Sequence, residues 1–203
     1  MENEVYTLPL VETFVSLQGE GYHTGKAAFF IRLAGCDVAC RFCDTQESWN
    51  AELYPQVPIS EIVKQALEAK LKDVIITGGE PLKWDLAPLT QKLHEYGFTI
   101  YLETSGTEQL KGEYNWICCS PKLGHFIYPE FFQKANELKI IVTEDKDFDY
   151  ALEMQQKFHP GCHLFLQPEW SKRSAVLPMI VNFILSHPEW RLSLQTHKYI
   201  NIP

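Results

Sequence analysis

Short apolar runs alternate with amphipathic stretches along the chain, and the alternation itself predicts the architecture. AFFIRLAG (27–34) is rich in aromatic and branched residues and reads as a strand. From Ser60, a candidate cap, SEIVKQALEAKL puts Ile62, Val63, Ala66 and Leu67 on one face of a helix reaching Leu71. DVIIT (73–77) is a buried strand, and a helix from Asp85 or Leu86 to Tyr96 is stopped by Gly97. FTIYLE (98–103), NWICCS (115–120), ELKIIV (137–142), HLFLQ (163–167) and RLSLQ (191–195) follow as strands, with helices over 147–158 and 172–186. Strands alternating with helices predict an α/β fold with a mainly parallel sheet. A complete eight-fold barrel needs ~250 residues, and at 203 residues the chain leaves room for a partial, open barrel or a doubly wound sheet. In both, the loops after the C-terminal strand ends carry the site. GGEP (78–81), ETSGT (103–107), SPK (120–122), QPEW (167–170) and QTHK (195–198) all fall at such ends.

The length suits one domain over 1–203, large enough to bury a core without disulfide staples. A net charge of −8 argues against a broad nucleic-acid or anionic-membrane footprint. No apolar run reaches membrane-spanning length, and MENEVYTLPLVE has no signal-peptide pattern, so the expected compartment is the cytoplasm. There a crowd of cysteines suggests metal ligation or catalysis before it suggests disulfides. Of the six cysteines, Cys36, Cys40 and Cys43 lie within eight residues. Cys118 and Cys119 sit on a strand, pointing to opposite faces, and with Cys162 read as buried structural thiols.

The stretch GCDVACRFCDT (35–45) has the spacing Cys-x3-Cys-x2-Cys. Three thiolates can hold three irons of a 4Fe–4S cube. With no fourth cysteine nearby, one iron stays open to substrate or cofactor, as in catalytic metal sites. Two other readings compete. Structural zinc would need a fourth ligand, for which His23 is the nearby candidate, and an electron-transfer ferredoxin would need a full set of four cysteines.

This spacing, with Phe42 before the last cysteine and Gly78-Gly79-Glu80-Pro81 after a strand, resembles the radical S-adenosylmethionine superfamily. The resemblance implies a 4Fe–4S cluster on Cys36, Cys40 and Cys43, S-adenosylmethionine on the open iron, and a 5′-deoxyadenosyl radical formed by one-electron cleavage of the sulfonium. It also implies a partial, open (β/α) barrel. TFVSLQGEGYHTGKAAFFIRLAGCDVACRFCDT, TGGEP, ETSGT, SPK, LQP and RLSLQTHKYINIP, spanning Thr13 to Pro203, further resemble the 7-carboxy-7-deazaguanine synthase family. That implies conversion of 6-carboxy-5,6,7,8-tetrahydropterin to 7-carboxy-7-deazaguanine with loss of ammonia, in queuosine-type deazapurine biosynthesis. The resemblance further implies assistance by magnesium, a homodimer, and a flavodoxin or ferredoxin as electron donor.

By the same resemblance, Phe42, Cys43, Asp44, Gly79, Glu80, Glu103, Ser120, Pro121, Lys122 and Gln167 form the cofactor shell, Glu80 accepting from an ammonium and Glu103 holding ribose hydroxyls. Leu17, Gln18, Gly19 and Glu20 form the pterin loop, where Gln18 both donates and accepts and Glu20 only accepts. Arg32 is expected to fork onto a substrate oxygen, the alternative being an ion pair with a nearby acid. Thr77 and His197 also reach the substrate, as does Pro203, whose free α-carboxylate would accept pterin N–H donors. Thr45 matches a magnesium ligand, the alternative being a loop-capping hydroxyl. Ser105 stands where some relatives carry Asn. Phe131 and Phe132 read as buried packing in a stretch, 124–136, that suits either core or a dimer contact. The competing enzyme is a radical activase acting on a partner protein, which would share the cysteine loop and GGEP and lack the LQGEG segment.

Overall fold

The computed structural model describes residues 6–203; the first five residues of the N-terminal segment read for a targeting signal lie outside it. The strands are β1 (Thr7–Leu17), β2 (Ala27–Leu33), β3 (Gln56–Pro58), β4 (Asp73–Gly78), β5 (Thr99–Thr104), β6 (Trp116–Cys119), β7 (Glu137–Val142), β8 (His163–Pro168) and β9 (Trp190–Leu192). The helices are α1 (Ile59–Glu68), α2 (Ala87–Glu95), α3 (Glu130–Lys134), α4 (Lys146–Lys157), α5 (Arg173–Ser186) and α6 (Thr196–Ile200). They build one sheet in the order β3-β1-β2-β4-β5-β6-β7-β8-β9. Every pair from β2 to β9 is parallel, while β1 runs antiparallel to both β2 and β3. The expected open, mainly parallel α/β sheet is therefore present. None of the described α-helices is long and apolar enough to cross a membrane.

The period-2 geometry of the strands divides their side chains. One row (Phe29, Ile31 and Leu33 on β2, Val74 and Ile76 on β4, Leu138, Ile140 and Val142 on β7) belongs to the main core with helix residues such as Ile62, Leu89, Leu93, Ala151 and Ile180. Each fully buried aliphatic side chain there contributes about 1.5–3 kcal/mol. The opposite row faces inward and grades along the strands. Near their starts it is aromatic and apolar, with Phe30, Ile75, Tyr101 and Trp116 in a second cluster. Towards the C-terminal ends it turns polar: Arg32, Thr77, Glu103, Lys139 and Gln167 all reach a cavity there.

Several boundaries differ from expectation for local reasons. β1 and β3 join the seven expected strands. A register shift between Leu10 and Glu12 interrupts the alternation that would announce β1. α1 starts at Ile59, directly after Pro58, and Ser60 makes no cap; Lys70 at φ +56° follows its end. The last strand stops at Leu192, so QTHK leads into α6 and does not extend a strand. Phe131 is fully buried and Phe132 packs edge-on against Phe158, whereas Phe126 is exposed. Cys118 and Cys119 do part to opposite faces: Cys119 joins the main core, and Cys118 lies beside Glu137 on the inward side.

Ile76, wholly buried at the centre of β4, tests this division of faces. Ile76→Ala is expected to lower stability by about 2–5 kcal/mol with no change in denaturant slope, measured by urea unfolding.

Candidate active site

The polar inward ends surround a cavity of about 480 Å³. The loop that follows β2 brings Cys36, Cys40 and Cys43 to its wall, all three free thiols. Backbone bonds fix this loop: Gly35 N donates to Ser48 O (2.7 Å), Cys36 N to Trp49 O (3.1 Å) and Cys43 N to Cys40 O (3.0 Å). Because β2 and β4 are parallel neighbours, their ends adjoin, and Gly79 N and Glu80 N continue the ladder to Leu33 O and Gly35 O (2.9 and 2.8 Å). Side chains cannot be accommodated there. Gly78 holds φ +140° against the Leu33 backbone, and a Cβ on Gly79 would lie 2.5 Å from Gly35 O and 2.9 Å from Cys36 Cβ. The two glycines thus let the cysteine loop lie flat on the β4 turn. Burial pushes the Cys36 and Cys40 thiols up, so metal binding there must displace protons.

Glu80 does not line the cavity. Its carboxylate is buried behind the cavity wall and bound on every side. Oε1 accepts from Leu82 N (3.1 Å) and Thr104 Oγ1 (2.7 Å), and Oε2 accepts from Ser105 N (2.8 Å) and Ser105 Oγ. These bonds fasten the GGEP turn to the ETSGT loop and leave no lone pair directed at a ligand ammonium. Pro121 is likewise off this cavity, on the wall of an adjoining one. His23, the candidate zinc partner, packs against Trp116 and Tyr101 with ring centroids 4.4 and 4.9 Å away, and is not on the cavity wall.

A further part of the wall is made by the hairpin loop after β1 and the segment after β9. Thr196 N and Oγ1 both donate to Gly19 O (2.9 and 2.7 Å), and Gly21 N donates to Ser193 Oγ (2.9 Å). The His197 ring lies directly on Gly19, where a Cβ would overlap it. Ser16 Oγ donates to Pro203 O (2.6 Å), tying the segment back to β1. Within this wall, Gln18 Nε2 donates to Glu103 Oε1 (3.0 Å), and Lys139 Nζ donates to Glu20 Oε2 (2.6 Å) and Glu103 Oε2 (2.9 Å). Gln195 Nε2 bridges Glu20 Oε1 (2.9 Å) and Asp44 Oδ2 (3.0 Å), and Lys198 Nζ also reaches Asp44 (2.6 Å). Burial would raise the Asp44 carboxyl, but Lys198 and Gln195 hold it below the usual range. Burial also lowers the His197 imidazole, which is therefore neutral at pH 7.

Arg32 and Thr77 face each other across the β2–β4 register. Arg32 Nε pairs with Glu12 Oε1 (2.8 Å), realising the ion-pair alternative along one edge of the guanidinium while the side chain still lines the cavity. Thr45 precedes a 3₁₀ turn without capping it through its side chain; its hydroxyl lies 3.7 Å from Cys43 Sγ. Lys122 Nζ donates to Ser120 Oγ (2.7 Å), with burial lowering the ammonium, and Gln167 Oε1 accepts from Ser193 Oγ (2.7 Å).

Residues 30–113 match the Radical SAM superfamily. The protein called 7-carboxy-7-deazaguanine synthase in Flavobacterium psychrophilum is 47% identical over 196 residues, covering 97% of this chain and 93% of that one. Its namesake in Synechocystis is 48% identical over 194 residues (96% and 93%). The crystal structure of QueE from Escherichia coli superposes with a TM-score of 0.85 at 31% identity, covering 97% of this chain and 99% of that chain. The chain belongs to the 7-carboxy-7-deazaguanine synthase family.

Of the residues expected from the synthase resemblance, all but Glu80 and Pro121 line this cavity. Among the cavity residues given no role in the sequence analysis are the polar or aromatic Lys139, Trp170, Gln195 and Lys198. For Lys139 a signal existed, since Glu137 and Lys139 alternate inside an otherwise apolar strand, and buried charges are almost always paired. Gln195 and Lys198 flank the quoted His197, and nothing in their spacing marks them out.

The contact of Gly19 with His197 yields a direct test. Gly19→Ala should push the ring away and release the Thr196 amide, read as at least about tenfold faster hydrogen exchange at Thr196 with core amides unchanged.

Proposed function

We propose that the protein converts 6-carboxy-5,6,7,8-tetrahydropterin to 7-carboxy-7-deazaguanine, contracting the ring and releasing ammonia, in deazapurine biosynthesis. The observation that carries this reading is a cavity lined both by three free cysteines and by a Gln–Gly–Glu loop. The thiols suit a 4Fe–4S cluster by their chemistry, because each iron takes its own thiolate and a set of three leaves one iron open. When bound, the cluster and S-adenosylmethionine would supply a hydrogen-abstracting radical.

The chain's own residues then bind and orient. Phe42, Asp44, Gly79, Ser120, Lys122 and Gln167 would border the cofactor, and Glu103 would accept from its ribose hydroxyls. Gln18 and Glu20 would read the amino-pyrimidinone edge of the pterin, Gln18 as donor and acceptor and Glu20 as acceptor. The free edge of Arg32 would take a substrate oxygen beside Thr77, with Leu17, His197 and Pro203 closing over the ring. Neutral His197 is suited to hydrogen-bond an uncharged ring. The Thr45 hydroxyl, unused as a cap, would bind Mg²⁺ together with the substrate carboxylate, since magnesium takes few protein oxygens and retains water. Aromatic walls at Phe14, Phe30 and Trp49 would exclude water from the reacting centre. An activase would need an open groove for a protein partner, and the segment from Ser193 to Pro203 lies across that side. A flavodoxin or ferredoxin donor, a homodimer and a cytoplasmic setting complete the proposal.

Anaerobically reconstituted protein, given reductant, S-adenosylmethionine and the carboxytetrahydropterin, should yield a product of the mass of 7-carboxy-7-deazaguanine. A cluster-loaded protein giving no such mass would refute the reading. Cys40→Ala should lose both the broad blue–violet absorbance and turnover. Thr45→Val should keep the absorbance and lose the stimulation of turnover by Mg²⁺.

A further inference from the structure

We infer that Lys139 is a positioning residue shared by both halves of the site, its buried ammonium aiming the pterin-loop carboxylate of Glu20 and the cofactor-side carboxylate of Glu103 together. The inference rests on the proposed reaction and assigns a role to a residue that touches neither ligand in it.

The geometry is a closed ring. Lys139 Nζ bonds Glu20 and Glu103, Glu103 accepts from Gln18 Nε2, and Gln18 Oε1 accepts from Glu20 N (3.1 Å). The members come from three places in the fold: the hairpin loop, β5 and β7. Since β6 lies between β5 and β7, the lysine reaches over Cys118 to meet Glu103. Its side chain is only 5% exposed. A structural ion pair would need one acid. Here one ammonium serves two carboxylates, each on the cavity wall and each belonging to a different ligand. An ammonium offers three donors and no acceptor, so it leaves the outward lone pairs of both acids for ligands.

The titratable groups facing Lys139 are Glu20 from the loop, Glu103 from β5, Cys118 on β6, Glu137 on its own strand, Lys122 after β6 and His197 from α6, while Asp44 faces Glu20. Burial alone would lower the lysine, but these surrounding groups outweigh it and hold the ammonium charged. Burial would likewise raise Glu20, yet Lys139 and Gln195 keep its carboxyl below the usual range. Without the ammonium, two acids would face each other in a poorly solvated space, and one must take up a proton. A protonated Glu20 presents a donor where the pterin needs an acceptor.

The test is equilibrium dialysis on cluster-loaded protein, measuring S-adenosylmethionine and the carboxytetrahydropterin separately between about pH 6 and pH 8. Lys139→Met should weaken both ligands about tenfold or more, the scale of one charge-assisted hydrogen bond. Its pterin affinity should fall further towards acid, while the wild type stays flat, and Lys139→Arg should recover part of both. A merely structural lysine would change thermal stability and leave the pH profile flat. If Lys139→Met does not fold, Lys139→Gln, which keeps a polar tip without the charge, gives the same reading. A folded neutral variant with wild-type affinities, or with only one ligand weakened, overturns the inference while the proposed reaction stands. Wild-type protein that binds neither ligand overturns both.

Discussion

Parallel strands covered by helices must give one entire row of side chains to the core, and the site inherits what remains. On β2, β4 and β7 that row is apolar without interruption. Polar groups can therefore enter only from the inward row or from the loops beyond the strand ends. The inward row is graded: aromatic rings close its lower end, and polar side chains occupy the upper end. The result is a floor that excludes water below a rim able to bind ligands. The cysteine loop lies on this rim because β2 and β4 end side by side and two glycines leave room for it.

Electrostatics within the rim is organised against the overall charge. The chain carries −8, and acids meet inside a partly dry space. Lys139 and Lys198 each enter from an element far along the chain and neutralise acids belonging to earlier loops. Burying such pairs costs desolvation, and their advantage is orientation more than stability. Glu80 is the contrasting case. It lacks a cationic partner and is satisfied by hydroxyl and backbone donors, and burial raises its carboxyl above the ordinary range. It acts as a fastener between two loops.

How much of this was legible in the sequence follows from how far each signal depends on neighbours in the chain. The parallel strands were legible because branched and aromatic runs such as DVIIT and ELKIIV are local. The site was legible through the cysteine spacing, GGEP and LQGEG, which resemble a known family. β1 was not, because Pro9, Glu12 and a register shift break its alternation, and its burial is decided by β2 and β3. The bonds that hold Glu80 were not legible because its partners, Thr104 and Ser105, lie more than twenty residues away. Lys139 carried a local signal as a charge inside an apolar strand, but its partner did not, since Glu20 is 119 residues distant in sequence.

The bonds from Thr196 to Gly19 and from Ser16 to Pro203 join positions 177 and 187 residues apart. Closing so wide a span carries a large entropic penalty and comes late in folding. Until residues 193–203 emerge from the ribosome and dock, the cavity lacks that part of its wall.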